Sequence, residues 1–206
     1  MKKLFLIPIL GMLMSSFAHA EVINGAASVN EKRLKFLEIN GSGTFKDLKI
    51  ADYMKVNGSA TGKNLQVKTL EVNGSLTAKY LIINDMIVSG AASLREALVK
   101  GSLSVNGSLK CEQIKVQGKT SIAGDLKVSS GEFQDIEIKS DLAEIIRSKA
   151  NNIVFSNQQV AQKILELKSG TTVSGNVTFK SGKGTVYLYD GSKIGGTVEG
   201  GEVIKK

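Results

Sequence analysis

The residues of this sequence that could act on a substrate are few, and their types exclude several reaction classes. The 206-residue chain has one Cys, Cys111, one His, His19, and no Trp. A lone Cys cannot form an internal disulfide or a Cys-based zinc site, and a lone His excludes a multi-His metal centre. Carboxylate pairs for glycan cleavage would have to come from scattered residues, namely Asp47, Asp125, Asp135 and Glu137. We therefore expect no catalytic site, no cofactor and no metal ion.

A second candidate chemistry is the binding of anions. Four basic residues recur 16 or 17 positions apart, at Lys46, Lys63, Lys79 and Arg95. If these residues stack, they form a cationic stripe for an anionic polymer such as a cell-wall or surface glycan. The alternative is a solvated outer face on which Asp47, Asp85 and Glu96 neutralise part of the charge. Nucleic acid is not an expected partner, because the net charge of +8 is modest and only 5% of residues are aromatic.

A repeat that runs through most of the chain must position these side chains. The segment Val72–Leu76 (VNGSL) recurs as Val105–Leu109 (VNGSL), and looser copies precede, separate and follow the two. The copies begin, at intervals of 16 or 17 residues, at Ile23, Ile39, Val56, Val72, Val88, Val105, Ile122 and Ile138. Each of the first seven copies carries a Gly two residues after its start. We explain these glycines by a corner with positive φ, which Gly adopts freely.

Within each copy, apolar and polar residues alternate, which predicts short half-buried strands rather than helices. Three such strands per copy predict an all-β fold, a single-stranded parallel β-helix or β-solenoid with 16–17 residues per coil. The seventeenth residue of the longer copies falls just before the next copy, where a loop can absorb it. The handedness rule for parallel crossovers predicts a right-handed coil. Roughly nine to eleven coils, stacked about 4.8 Å apart, would make a rod of roughly 45–50 Å.

The first twenty residues differ from the repeat. Lys2 and Lys3 precede a mostly apolar stretch from Leu4 to Phe17, and Ala-His-Ala at 18–20 matches a signal-peptidase site. We interpret residues 1–20 as a signal peptide, with an N-terminal membrane tether or a buried helix as the alternative. No later apolar run approaches the 18 residues of a membrane span, so we expect an exported protein of the periplasm, cell surface or medium, without a transmembrane segment.

The remaining chain divides by the regularity of the repeat. We assign 21–137 to regular coils, 138–172 to irregular coils of the same solenoid, and 173–206 to C-terminal coils and a cap. Asp141 and Glu144 resemble a helix capping box, which would favour a short helix after Leu142. The β-branched residues of Ile145-Ile146 and of Ile153-Val154 favour strands instead, and strands are our prediction.

Two recurrent features have a structural and a functional interpretation. Cys111 falls in a column that is otherwise mostly apolar, which predicts a buried, unreactive thiol. The Asn-Gly-Ser segments and Asn176-Val-Thr178 match the acceptor pattern for N-glycosylation. Repeated corner turns are the preferred explanation, because they account for five sites at once, and stacking would then place Asn40, Asn57 and Asn73 in an amide ladder along the rod.

A short-coil solenoid with [Val/Ile]-x-Gly-x-[Val/Leu] steps resembles the bactofilin family and related polymer-forming β-helix proteins. The matching steps span most of residues 23–203 and are Val72–Leu76, Val105–Leu109, Val173–Val177 and Ile194–Val198. The resemblance implies a non-enzymatic scaffold that polymerises end to end without a nucleotide. The chain differs from those cytoplasmic proteins in its export signal, which points away from a cytoskeletal role.

We therefore expect an exported, non-enzymatic structural or self-assembling β-helix protein. The alternative is an adhesin-like or anionic-glycan-binding surface module that uses the cationic stripe. An exported glycan-cleaving β-helix enzyme is disfavoured, because such enzymes resemble this chain in architecture but use longer coils and large loops to build a substrate groove.

Overall fold

A computed structural model describes residues 20–159 and 161–206 of the chain. The predicted signal peptide therefore lies, up to residue 19, outside the described residues. The first twelve strands are β1 Glu21–Asn24, β2 Ala27–Asn30, β3 Arg33–Asn40, β4 Gly43–Val56, β5 Ala60–Val72, β6 Leu76–Val88, β7 Ala92–Val99, β8 Leu103–Val105, β9 Leu109–Val116, β10 Thr120–Ile122, β11 Leu126–Phe133 and β12 Asp135–Ile138. The other ten are β13 Leu142–Ile146, β14 Lys149–Ala150, β15 Asn152–Phe155, β16 Lys163–Lys168, β17 Thr172–Val173, β18 Val177–Phe179, β19 Gly184–Leu188, β20 Lys193–Ile194, β21 Val198–Glu199 and β22 Gly201–Lys205.

The strands confirm the predicted all-β fold. They are all parallel and stack in a β-solenoid of about 11 turns, with no helix among the described residues. Residues 16 or 17 apart are hydrogen-bonded neighbours from the first coil onward, as in Ile23 beside Ile39 and Val56 beside Val72. Each coil has three faces, which we name by one coil: Met54–Val56 lies on the first face, Ala60–Lys63 on the second and Leu65–Val67 on the third.

The core is a continuous column of apolar side chains along the rod axis. In β5 buried and exposed residues alternate along each face, with Ala60, Leu65, Val67, Leu70 and Val72 all 3% exposed or less. The same alternation recurs in the coils above and below, so each inward side chain packs against its equivalents one coil away. Because a coil buries its apolar atoms only against its neighbours, stability accumulates along one axis, as in other solenoids.

The three corners are numbered in chain order: the first joins the first face to the second, the second joins the second face to the third, and the third leads into the next coil. The glycines of the first corner are required for a reason other than the predicted one. Of the recurrent corner glycines, only Gly25 has a positive φ. At Gly74 an added Cβ would lie 2.3 Å from the carbonyl oxygen of Gly58, and the glycines of the neighbouring coils are equally close to one another. The positive-φ explanation was wrong for these positions: the constraint is the close approach of successive backbones, which leaves no room for a side chain.

The second corner does use positive φ, and in the regular coils it does so without glycine. One residue of each regular coil adopts the left-handed conformation there, and these residues are Glu31, Asp47, Asn64, Tyr80, Glu96, Gln113 and Ser130. In two later coils a glycine with positive φ follows that residue, at Ser169-Gly170 and Asp190-Gly191. A single left-handed residue redirects the strand from the second face to the third without a loop. It also turns its own side chain to the outside, so that a row of polar and aromatic groups follows this corner.

The third corner absorbs the variable residue, as predicted. Between β4 and β5 the register shifts after Ile50, so that Tyr53 pairs with Thr69 and the coil regains its alignment at Met54. Further along the rod, Asp85 links the third corners of two successive coils. Its Oδ1 accepts hydrogen bonds from the backbone N–H and the hydroxyl of Ser102 at 2.8 and 2.7 Å. These bonds hold the pKa of Asp85 below its ordinary value.

The region around residues 141–150 is built of strands, which confirms the strand prediction over the helix. The coils that follow are longer, since Phe155 pairs with Phe179 and Leu165 with Val186. Hydroxyl groups replace apolar side chains inside the third face of these coils: Ser148 donates its backbone N to Thr171 Oγ1 at 3.3 Å, and Thr171 donates its own N to Ser192 Oγ at 3.1 Å.

One buried charge interrupts the core of the longer coils. Lys163 begins β16 at an inward position opposite Gly184, and its side chain is fully buried. Its Nζ contacts the carboxylate of Asp141, whose side chain is 55% exposed. The ring of Phe179 fills the space where a side chain at Gly184 would lie, and Asp141 links the buried ammonium to the surface.

Candidate functional site

The second face carries the four basic residues in one row. Backbone pairing places Lys46 beside Lys63, Lys63 beside Lys79, and Lys79 beside Arg95 in successive coils. Adjacent members are therefore one strand spacing apart, about 4.8 Å along the rod. The four basic residues therefore form the row that stacked coils require, and their side chains point away from the core.

Carboxylates compensate much of this charge. Lys46 Nζ lies 3.7 Å from Asp47, and Lys79 Nζ lies 3.4 Å from Glu96. Arg95 Nε lies 3.9 Å from Glu96 and 3.4 Å from Glu112, which continues the row in the next coil. Asp85, expected to neutralise the row, lies instead at the third corner and binds Ser102. The row is thus a column of partly paired charges rather than an unbroken cationic stripe.

Tyr80 joins the row to the second corner. The Nζ of Lys79 lies 4.3 Å from the centre of the Tyr80 ring, a cation–π distance. The Tyr80 hydroxyl, followed by the Glu96 carboxylate, holds the pKa of Lys79 above its ordinary value. Because 36% of the Lys79 side chain is exposed, solvent screens its attraction to Tyr80 and Glu96, and these contacts add little to the stability of the fold.

A row of hydroxyl groups runs beside the basic row, and sequence reasoning missed it. Two residues before each basic residue an exposed Ser or Thr stands on the same face, and in register these are Thr44, Thr61, Thr77 and Ser93. The signal was present in the sequence as Thr-x-Lys at 44–46, 61–63 and 77–79. We call the two rows together the cation–hydroxyl face. Each coil offers one hydroxyl and one cation there, a pairing that suits sulfate, phosphate or carboxylate groups of a polymer.

The first corner carries the predicted amide ladder. Asn40 Nδ2 donates to Asn24 Oδ1 at 2.9 Å, Asn57 to Asn40 at 2.7 Å, and Asn73 to Asn57 at 2.8 Å. Ser89 Oγ continues the ladder to Asn73 Oδ1 at 3.3 Å. These hydrogen bonds support the structural interpretation of the Asn-Gly-Ser segments, since four consecutive side chains bind one another.

The third face contains an open groove of about 930 Å³ between the second corner and the middle of the face. Its floor is apolar, and Tyr80, Ile82 and Leu98 project along its sides, with Tyr80 38% and Ile82 43% exposed. Polar side chains extend it at both ends, including Gln66 and Lys115. Sequence reasoning did not single out Ile82 and Leu98, which are apolar residues at outward positions of their strands.

A second groove, of about 710 Å³, lies at the third corner of the later coils and is polar. Two of the four candidate carboxylates line it. Asp135 Oδ1 accepts hydrogen bonds from Asn151 and Asn152 at 3.2 and 2.8 Å, and Glu137 forms an ion pair with Lys119. That lysine is the leading cause that lowers the pKa of Glu137.

The other two candidate carboxylates lie elsewhere. Asp47 is at the second corner, where Asn64 Nδ2 donates to it at 2.6 Å, and Asp125 is exposed at the first corner. The structure therefore does not bring the four carboxylates together in one cleft.

Cys111 is buried in the inward column of the second face, as predicted. It pairs with Leu94 and Val128 in the adjacent coils and is 4% exposed. Burial raises the pKa of its thiol to about 12, so the reactive thiolate is scarce at neutral pH. The thiol acts as a small apolar side chain of the core.

Comparison with known proteins gave no relative: no protein-family model, no curated protein and no solved structure matches the chain. Within the described ranges, no three His, Cys, Asp or Glu side chains are grouped in a way that could hold a metal ion. The part of the chain that the structure describes also has no helix long and apolar enough to cross a membrane. The surfaces above are therefore interpreted from their own geometry.

Proposed function

We propose that the protein is an exported, non-enzymatic structural rod that self-associates end to end. The observation that carries the proposal is that the solenoid ends on each side in a coil with only one neighbouring coil. Each end has a charged residue at an inward position: Glu21 continues the column of Leu37 on the first face, and Lys205 continues the column of Leu188 on the second face. Glu21 forms an ion pair with Lys32 of the same end, with Oε2 and Nζ 3.0 Å apart.

The strand edges at both ends support the same proposal. Among the described residues, β1 and β2 pair only with the second coil, and β21 and β22 pair only with the coil before them. Each end therefore presents backbone N–H and C=O groups without a strand partner, and such edges template another parallel strand. A head-to-tail contact that repeats in one direction produces an open filament rather than a closed ring.

Inward charges at a sheet end can instead prevent association, and the experiment must separate the two possibilities. We expect the exported, processed protein to form concentration-dependent oligomers in sedimentation velocity and filaments in negative-stain microscopy. Removal of residues 194–206, which include the open strands β21 and β22, should reduce assembly. Lys205→Leu should not assemble more strongly than the wild type, because in this proposal the open strand edges govern the contact.

Three outcomes would contradict the proposal. One is a strictly monomeric wild-type protein at every concentration. A second is an unchanged assembly state after removal of residues 194–206, which deletes the last coil. The third is stronger assembly of Lys205→Leu than of the wild type, which would identify Lys205 as a barrier to association.

A second candidate function has an observation of its own. The cation–hydroxyl face repeats one hydroxyl and one cation per coil over four coils, which favours an adhesin-like module that binds an anionic glycan. The double variant Lys63→Glu/Lys79→Glu should then lose retention on an anionic-glycan resin. The matched control is Lys35→Glu/Lys100→Glu, with the same charge change on exposed residues away from this face. Equal retention of both double variants would remove this candidate.

A further inference from the structure

We propose that Asn106 is the residue at which the folded protein deamidates, with water as the co-reactant. The first corner carries Asn-Gly pairs at residues 24–25, 40–41, 57–58, 73–74 and 106–107. Such pairs are chemically labile, because Gly has no Cβ to shield its backbone nitrogen from the side chain of the preceding Asn. The pairs share one sequence and one place in the coil, but the structure holds their Asn side chains differently.

The reaction takes place within one Asn-Gly pair. The backbone nitrogen of the Gly attacks Cγ of the Asn: a bond from this nitrogen to Cγ forms, the bond between Cγ and Nδ2 breaks, and the amide nitrogen leaves as ammonia with the proton of the Gly nitrogen. Water then adds to either carbonyl carbon of the resulting succinimide and opens the ring to aspartate or isoaspartate. Because Cγ must first turn towards the Gly nitrogen, hydrogen bonds that fix the Asn side chain slow the reaction.

The amide ladder fixes the Asn side chains of the first four pairs. Asn40, Asn57 and Asn73 each donate Nδ2 to Oδ1 of the Asn in the preceding coil, at 2.9, 2.7 and 2.8 Å. Asn24 ends the ladder as an acceptor, and in its pair the backbone nitrogen of Gly25 donates to the carbonyl oxygen of Asn40 at 3.1 Å. In each of these pairs a group that must move or react is therefore already hydrogen-bonded.

Asn106 lies outside the ladder. Ser89 and Ala123 occupy the equivalent positions of the adjacent coils. The Ser89 hydroxyl donates to Asn73, away from Asn106, and the methyl group of Ala123 offers no polar atom. Asn106 is exposed, and in the part of the chain that the structure describes neither its side-chain amide nor the backbone N–H of Gly107 forms a hydrogen bond. Both reacting groups of this pair are thus free.

The two products differ in their effect on the coil. Aspartate leaves the main chain unchanged and places its carboxylate at an exposed corner. Isoaspartate adds one methylene group to the main chain directly before Gly107. The carbonyl oxygen of Gly107 accepts a hydrogen bond from Gly124 N at 3.0 Å, and a Cβ on Gly107 would lie 2.6 Å from the carbonyl oxygen of Gly90. Because these backbones are in close contact, the isoaspartyl form should unfold more easily than the aspartyl form.

Peptide mapping of folded protein incubated in mildly alkaline buffer tests the proposal, with the Asn, Asp and isoaspartyl peptides quantified for every Asn-Gly pair. We expect Asn106 to deamidate roughly tenfold faster than Asn57 or more, because Asn57 must first lose its ladder hydrogen bonds. In concentrated urea the pairs should react at similar rates, since the fold and not the local sequence sets the difference. Equal rates for Asn106 and Asn57 in the folded protein would overturn the proposal.

Two variants test whether the ladder is the cause. Ser89→Asn places an amide between Asn73 and Asn106, so deamidation of Asn106 should slow towards the rate of the ladder residues. Asn57→Ala removes the acceptor of Asn73, so Asn73 should react about fivefold faster while the rate at Asn106 stays unchanged. An unchanged rate at Asn106 in Ser89→Asn, or an equal acceleration of Asn73 and Asn106 in Asn57→Ala, would contradict protection by the ladder.

Discussion

Asn57 donates its side-chain amide to Oδ1 of Asn40, 2.7 Å away in the preceding coil, and accepts a hydrogen bond from Asn73 in the following one. The ladder therefore links three coils through Asn57 alone. Since the same coils are held together by parallel backbone pairing, the amide bonds strengthen an alignment that the strands already fix. Corner residues of this solenoid thus form hydrogen bonds between successive coils, along the rod axis.

Asn57→Ala should lower the free energy of unfolding by about 1 kcal/mol, because three exposed side-chain hydrogen bonds are lost, those with Asn40 and Asn73 and a longer one to Glu38. Urea denaturation followed by circular dichroism measures the change. Asn106→Ala, at the equivalent position of a later coil where no side-chain hydrogen bond is present, is the control. Equal losses for the two variants would show that the ladder does not contribute.

Gly74→Ala should be severely destabilising, by about 3 kcal/mol or more. The new Cβ would lie 2.3 Å from the Gly58 carbonyl oxygen, and neither backbone can move away because each is packed against its neighbouring coils. Ser75→Ala, one residue further along the same exposed corner, should be nearly neutral. Denaturant midpoints compare the two. A mild effect at Gly74 would mean that the coils can separate locally without cost.

Gln113→Gly should not destabilise the protein, in contrast to Gly74→Ala. Gln113 has φ +55, a conformation that costs a residue with a side chain about 1–2 kcal/mol but is free for Gly. Because Gly also gains entropy in the unfolded chain, we expect a neutral to slightly stabilising change. Gln113→Val, with a β-branched side chain at the same φ, should be clearly destabilising. Thermal unfolding of the pair tests whether positive φ is a strain at this corner.

Stability should fall in acid, in part through Glu144. The ammonium of Lys127, followed by that of Lys168, lowers the pKa of Glu144 from its ordinary value near 4.5. A carboxyl with a lowered folded-state pKa contributes stability that is fully present at pH 7. That contribution begins to disappear as the pH falls to about 4.5 and is lost below the folded-state pKa.

Glu144→Gln should therefore lower stability at pH 7 and reduce its dependence on pH between 7 and 3, as measured by urea denaturation at several pH values. Glu31→Gln, which removes an exposed carboxylate at the second corner, controls for the loss of one negative charge. A pH profile of Glu144→Gln that is parallel to that of the wild type would contradict this assignment.

Asp141→Ala should destabilise the longer coils more than Lys163→Met does. Removing Asp141 leaves the buried Lys163 ammonium without its carboxylate, which we expect to cost about 1–3 kcal/mol because Asp141 itself is half exposed. Lys163→Met instead replaces the buried charge with an apolar side chain of similar length. The double variant should recover most of the stability lost in Asp141→Ala. The reverse order of stability in chemical denaturation would show that the ion pair is not what holds Lys163.

The sequence by itself determined the coil, because a solenoid repeats its constraints at a fixed interval. Alternating apolar residues at 16–17-residue spacing, as in Val72 and Val88, specify inward columns without any long-range information. The amide ladder and the burial of Cys111 follow from the same periodicity. The sequence alone also placed Lys46, Lys63, Lys79 and Arg95 in one row.

Only the tertiary structure showed which contacts form between the backbones and side chains of successive coils. The corner glycines avoid a clash with the carbonyl of the coil before, a contact that exists only after stacking, so local conformational preference gave the wrong reason for Gly74. Tyr80 and Gln113 adopt the left-handed conformation although neither residue type favours a positive φ. They do so because the fold requires the same turn in every coil. The acids beside the basic row and the apolar patch at Ile82 likewise depend on which side chains adjacent coils bring together.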